Sequence, residues 1–185
     1  MASVYTFPTE MFVWIDESGS DSKDQIRRYG YALRGERAVC RKLLVRGRRV
    51  SAIAALSSHG LIALELTDGS VNGDVFFDFV RGSLIPEMRP FDGSNSMSIA
   101  VMDNCSIHHT QEVADLFLQA GILLIFLPPY SPDLNPIELA FGYVKGYLKE
   151  HQDLLGIMPH KDIVQAGFAS ITQSQCKGWI TKCGY

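Results

Sequence analysis

Three acidic residues stand out in this chain. Asp16 follows the apolar run 11–15 (MFVWI), Asp103 follows the run 98–102 (SIAVM), and Glu138 lies just beyond the stiff loop 128–134. Carboxylates that meet from distant parts of a chain repel one another, which raises at least one pKa and favours a bound cation. Magnesium-like ions prefer oxygen ligands and typically accept a few protein carboxylates while phosphate and water complete the shell. Two such ions about 4 Å apart can activate a water or hydroxyl against a phosphodiester and neutralise the leaving oxygen. Affinity for the ions should fall at low pH.

Each residue also has a plainer reading. Asp16 or Asp103 alone serves as well in an Asx-type turn at a strand end. Glu138 stands third in a helix that opens with Asn135 and Pro136, the arrangement of a capping box. Only the joint placement of all three favours the metal reading.

The elements that must position them follow from the apolar pattern. Residues 11–15 read as a strand buried on both faces, with Asp16 at its end. Residues 29–33 (YGYAL) alternate as a second strand, 50–56 form a third, and 61–66 form another. Val75, Phe76, Phe79, Val80 and Leu84 lie at helical spacing, with Pro86 and Pro90 beyond. Then come strand 98–102, a helix marked by Val113, Leu116, Phe117 and Ala120, strand 122–127, a helix from Asn135 to about His151, and a last helix over 163–171. Early hairpins followed by crossovers imply an α/β protein with a mixed central sheet and helices packed on it. The ribonuclease H-like fold has this order of elements. There the strands leading to Asp16 and Asp103 would be neighbours. The 34 residues between Asp103 and Glu138 suffice for a helix, a strand and a loop back to the same edge.

The chain's 185 residues suit one domain, with 46% apolar and 20% charged residues. Residues 122–127 form the longest apolar stretch, too short to span a bilayer, and no targeting segment is expected at the start. The four cysteines form no CxxC pair or zinc-finger spacing and read as reduced thiols. The net charge of -3 hides an asymmetry: residues 23–49 carry ten Lys or Arg against two acids, so this segment is +8 and the remainder -11. A polyanion could dock on the basic segment, through Arg46, Arg48 and Arg49 among others, while the acidic remainder hosts cations. A solvated basic face explains the segment equally well. On the helix of Glu138, Lys145 and Lys149 fall within about 40° of the same direction, a row along which a DNA backbone or only solvent could lie.

The segments FVWIDESG (12–19), RRYGYALRG (27–35), SAIAALSSHG (51–60), VMDNCSIHH (101–109) and LPPYSPDLNPIELAF (127–141) resemble the DDE catalytic domain of mariner-superfamily transposases and related bacterial insertion sequences. The likeness runs from about Met11 to the closing CKGWITKCGY, and SPDLNPIE is its most specific piece. The resemblance implies a ribonuclease H-like fold with helices on both faces of the sheet. Asp16, Asp103 and Glu138 are then the catalytic triad, holding two Mg2+ or Mn2+ ions. It further implies cleavage at transposon ends, joining of the 3′ hydroxyl to target DNA, and a homodimer on DNA with no membrane partner. The place of action is the nucleus of a eukaryote or the bacterial cytoplasm or nucleoid. His108 matches a histidine that often follows the second Asp, and is assigned a supporting role near DNA or at a helix start. Only fifteen residues precede Asp16, too few for a helix-turn-helix module, so residues 11–185 are expected to be the catalytic domain behind a ten-residue lead. Two alternatives remain: a non-catalytic DNA-binding remnant, and a general ribonuclease H-like nuclease.

Overall fold

The computed structural model describes residues 7–21, 31–39, 49–154 and 157–185. Five strands form one sheet in the order β3-β2-β1-β4-β5. The strands are β1 (Phe12–Ser20), β2 (Val50–Ser57), β3 (Gly60–Asp68), β4 (Ile99–Met102) and β5 (Leu123–Phe126). β1 pairs antiparallel with β2, and β2 with β3. β4 lies parallel to β1 on its other side, and β5 parallel to β4. The hairpin β2–β3 turns tightly at Gly60, whose φ of 128° is open to glycine. That turn makes the strand over 61–66 real. The parallel strands need crossovers, and these bring the helices. Helix α1 (Gly73–Phe79), continued by a π-helical turn Val80–Leu84, leads to β4; α2 (Gln111–Gln119) links β4 to β5. After β5 come α3 (Pro136–Glu150), α4 (His160–Ala169) and α5 (Gln173–Lys182).

Side chains alternate across a strand, so the sheet has two cores. Phe12, Trp14, Ala52, Ala54, Ile99 and Val101 face α3, α4 and α5 and pack on Ile137, Phe141, Val144, Phe168 and Ile180. Val13, Ile15, Ile53, Ala55, Ala100 and Met102 face α1 and α2 and pack on Phe76, Phe79, Val113 and Phe117. Helices therefore cover both faces, and the mixed α/β architecture expected from the sequence is the one observed.

Three expectations need correction. β1 does not stop at Asp16 but runs on to Ser20, because β2 pairs with it as far as Ser20↔Val50. The expected strand over 29–33 is not seen in its described part: Tyr31 and Leu33 are fully or largely exposed and outside any strand, while 29 and 30 fall outside the described residues. Alternation alone does not make a strand where no neighbour buries one face. The last helix ends at Ala169 instead of 171, and α5, unread from the sequence, follows it. α5 carries few apolar residues, but Thr172 and Gln175 form a full capping box at its start. Cys105, Cys176 and Cys183 are free thiols; Cys40 lies outside the described residues.

Candidate metal centre

The parallel ladder between β1 and β4 pairs Phe12 with Ile99 and Trp14 with Val101. Two residues further on, the same register sets Asp16 opposite Asp103. The ladder has ended there: β4 stops at Met102 while β1 continues along β2. The two acids thus stand where neighbouring strands part, and both follow the parity of the side chains that face α3. Glu138, in the first turn of α3, approaches from that side. A cavity of about 420 Å³ opens there, lined by Asp16, Asp103 and Glu138 together with Asn104, Asn135 and the loop 127–132. The structure thus brings the three carboxylates expected from the sequence to one cavity.

The loop that carries Glu138 to this edge is held at several points. Leu127 donates its backbone N–H to Met102 O (2.8 Å), and the Asn104 side chain donates to Leu127 O. The Tyr185 hydroxyl donates to Leu134 O (2.9 Å), and its ring meets Trp14 edge-on at 5.0 Å. Tyr130 sits at the loop tip, fully exposed, with the left-handed φ of 57° that side chains rarely adopt.

Asn135 departs from its expected role. It stands at the N-cap of α3, but its side chain caps nothing and no capping box with Glu138 forms. Its buried amide Nδ2 instead donates to Asp16 Oδ2 at 2.9 Å, while the Glu17 backbone N–H donates to Asp16 Oδ1 at 2.8 Å. The capping explanation of Glu138 therefore falls away, and its carboxylate is left to the cavity.

The electrostatics are those of crowded acids. Burial pushes the Asp16 carboxyl from 3.8 to about 7; Asp103, Glu17 and Glu138 add to the rise, and the Glu17 N–H opposes it. Glu138 is also raised, first by burial and then by Asp103 and Glu17, with the Lys145 ammonium pulling the other way. A cation would relieve all of these repulsions at once.

Glu17 is the participant the sequence reading missed. It projects to the opposite face of β1 from Asp16, where its Oε2 lies 2.9 Å from His108 Nε2. The His108 side chain is wholly buried, so it presents nothing to a DNA backbone. Its Nδ1 stands 2.7 Å from Asp103 Oδ1, a charge contact too misaligned for a straight hydrogen bond. Burial disfavours a charged imidazole, but the Glu17 hydrogen bond and the charges of Glu17, Asp103 and Asp16 outweigh it and raise the His108 pKa. Asp16, Glu17 and His108 each place a donor atom within 4.8 Å of the others. Among the described residues no set that tight includes Asp103 or Glu138. The adjacent acid pair 16–17 was visible in the sequence; that a strand sends its two members to opposite faces was the signal available for Glu17.

The remaining expected contacts are more scattered. Lys145 is half-buried and close enough to Glu138 to lower its pKa; Lys149 is exposed. Arg49 is exposed, and its guanidinium lies over Gly19, where an added Cβ would stand 2.4 Å from Nη2. Arg46 and Arg48 lie outside the described residues.

Residues 11–155 match the family described as DDE superfamily endonuclease. The chain belongs to that family. No curated protein matches it. Among solved structures it is similar to the Mos1 transposase paired-end complex with left transposon end, at 18% identity and a TM-score of 0.58, covering 95% of this chain and 56% of that one. The catalytic domain of Mos1 mariner transposase matches at 14% identity and a TM-score of 0.52, covering 96% and 84%. An intasome of simian T-cell lymphotropic virus matches at 12% identity and a TM-score of 0.57, covering 88% and 48%. At these identities the likeness shows a shared fold, the ribonuclease H-like one. The chain spans 56% of the length of the first of these proteins. Among the described residues no helix is long and apolar enough to cross a membrane.

Proposed function

We propose that this chain, with residues 11–185 as its catalytic unit, is the strand-cleaving and strand-joining part of a cut-and-paste transposase. One observation carries the reading: Asp16, Asp103 and Glu138 line one open cavity at the edge where β1 and β4 part. All three offer hard oxygen ligands, and burial and neighbouring acids penalise the charges of Asp16 and Glu138, which fits a divalent cation such as Mg2+ or Mn2+. Two such ions, when bound, would activate the attacking water or 3′ hydroxyl and neutralise the leaving oxygen.

The protein's own residues do the rest. Asn135 fixes one oxygen of Asp16 and the Glu17 N–H the other, so this carboxylate is oriented before any substrate arrives. The proline loop delivers Glu138 and walls one side of the cavity. Lys145, Lys149 and Arg49 are the basic groups offered to a phosphate backbone, with Arg46 and Arg48 in the same basic segment of the sequence. The Mos1 complexes contain transposon ends, and we extend that substrate, a DNA target and a homodimeric assembly to this chain as parts of the same reading. A non-catalytic remnant would have no use for an oriented Asp16 and a cavity kept open among three acids.

The test is cleavage of labelled DNA bearing transposon ends, with Mg2+ or Mn2+, by wild type and Asp103→Asn. The expected result is metal-dependent cleavage by the wild type alone. Equal cleavage by both proteins defeats the reading, and equal cleavage of RNA–DNA hybrids by the wild type would favour a general nuclease.

A further inference from the structure

We propose that Glu17 and His108 form a positioning pair that sets the orientation of the Asp103 carboxylate, and so tunes the metal affinity of the site without touching the metal. The inference rests on the reading of Asp103 as a metal ligand.

Asp103 needs such help. β4 ends one residue before it, so the ladder no longer fixes its backbone, and its side chain is 47% exposed. A half-exposed aspartate outside a strand is otherwise free to change rotamer. Two contacts hold it, and both are to the same oxygen. The Cys105 backbone N–H donates to Oδ1 at 2.9 Å, and His108 Nδ1 lies 2.7 Å from Oδ1. Among the described residues Oδ2 takes no protein hydrogen bond, and is left for a ligand.

The imidazole is itself fixed. It ends the 3-10 turn Ser106–His108, is wholly buried, and packs on Phe76 of α1 with ring centroids 4.4 Å apart. Its remaining freedom, rotation about the ring axis, is removed by Glu17 Oε2 at 2.9 Å. The pair thus reaches Asp103 from the α1 face of the sheet, around the end of β4, while the cavity lies on the α3 face. Each His108 nitrogen is already occupied by a carboxylate. This favours support over direct ligation, although Asp16, Glu17 and His108 together lie near enough for a cation of their own. Groups that orient a ligand in this way are typically worth about 10–100-fold in metal affinity.

The experiment measures Mn2+ binding to the metal-free protein by the loss of the free-ion electron paramagnetic resonance signal, with a thermal melt of each variant as a check on folding. The variants are Asp103→Asn, Glu17→Ala, Glu17→Gln, His108→Gln and the double variant Glu17→Ala/His108→Gln. The wild type is expected to bind and Asp103→Asn to lose most of that binding. Glu17→Ala is expected to bind about 10-fold more weakly while still melting in one cooperative transition, at a lowered temperature because the buried His108 Nε2 loses its partner. Glu17→Gln, whose amide oxygen still accepts from Nε2–H, should stay within about threefold of wild type. Glu17→Ala should add little on the His108→Gln background. Wild-type affinity in Glu17→Ala overturns the proposal. So does an equal loss in Glu17→Gln and Glu17→Ala, which would make the carboxylate a ligand, and so does a full second loss in the double variant. Those outcomes leave the triad reading intact. Absence of Mn2+ binding by the wild type, or undiminished binding by Asp103→Asn, removes that reading and this proposal with it.

Discussion

Replacing Asp16 by Asn should stabilise the metal-free protein at neutral to alkaline pH. The folded protein holds the Asp16 carboxyl near 7 against an ordinary 3.8, because the group is 7% exposed and surrounded by Asp103, Glu17 and Glu138. A folded pKa above the unfolded one means that the native state binds the proton more tightly. The stability from that proton is present below about pH 4 and is lost as pH rises through about 7. A rise from 3.8 to about 7 corresponds to about 4 kcal/mol at about 1.4 kcal/mol per pH unit. The cavity is open, so water and small rearrangements relieve part of this, and we expect roughly 1–3 kcal/mol. Asparagine removes the charge and keeps an oxygen to accept the Glu17 N–H; its amide can pair with Asn135, whose own Oδ1 is buried without a partner. The assay is thermal unfolding by circular dichroism in chelator. Asp16→Asn should melt roughly 3–10 °C above wild type near pH 8 and close to it near pH 4. A variant that melts at or below wild type near pH 8, or whose gain is the same at every pH, would refute the reasoning.

Other expectations follow from the same contacts. Added Mn2+ should raise the wild-type melting temperature more near pH 8 than near about pH 5.5, since the proton on Asp16 competes with the cation below about 7; equal shifts would count against it. Glu138→Gln should lose DNA cleavage by about 100-fold or more and change stability by less than about 1 kcal/mol, because Glu138 takes no part in capping α3. Asn135→Ala leaves buried Asp16 Oδ2 without its donor, and unfolding in chelator should show a loss of about 1–3 kcal/mol near pH 8. Thr172→Ala removes the capping box of α5 and should cost about 1 kcal/mol in a denaturant titration.

The sheet was legible where burial and pattern agree. Residues 12–15 and 99–102 are apolar at every position because helices cover both faces, and both lie in strands. Legibility failed where the deciding partner is remote. The extension of β1 past Asp16 depends on β2, 30 or more residues later, and the short sequence DESGS gives no sign of it. The alternation at Tyr31 and Leu33 misled because, among the described residues, nothing buries either side chain. α5 was hidden by polar composition and betrayed only by its cap.

The candidate site shows the same division. Asp16, Asp103 and Glu138 were readable because each follows a recognisable element, and register then brings the first two opposite each other. Asn135 looked like a cap because local spacing is all a sequence displays. Its true partner, Asp16, is 119 positions away. Glu17 was passed over beside a stronger candidate, and its link to His108 spans 91 positions and two faces of the sheet. The reading of His108 as a DNA contact could not anticipate that the ring is entirely enclosed.

Anomalous scattering from crystals soaked in Mn2+ goes most directly to the centre of this account. Manganese peaks should lie in the cavity between β1, β4 and α3, with oxygens of Asp16, Asp103 and Glu138 as protein ligands. A manganese ion held by Glu17 and His108 instead, or a cavity without any bound ion at saturating manganese, would contradict it.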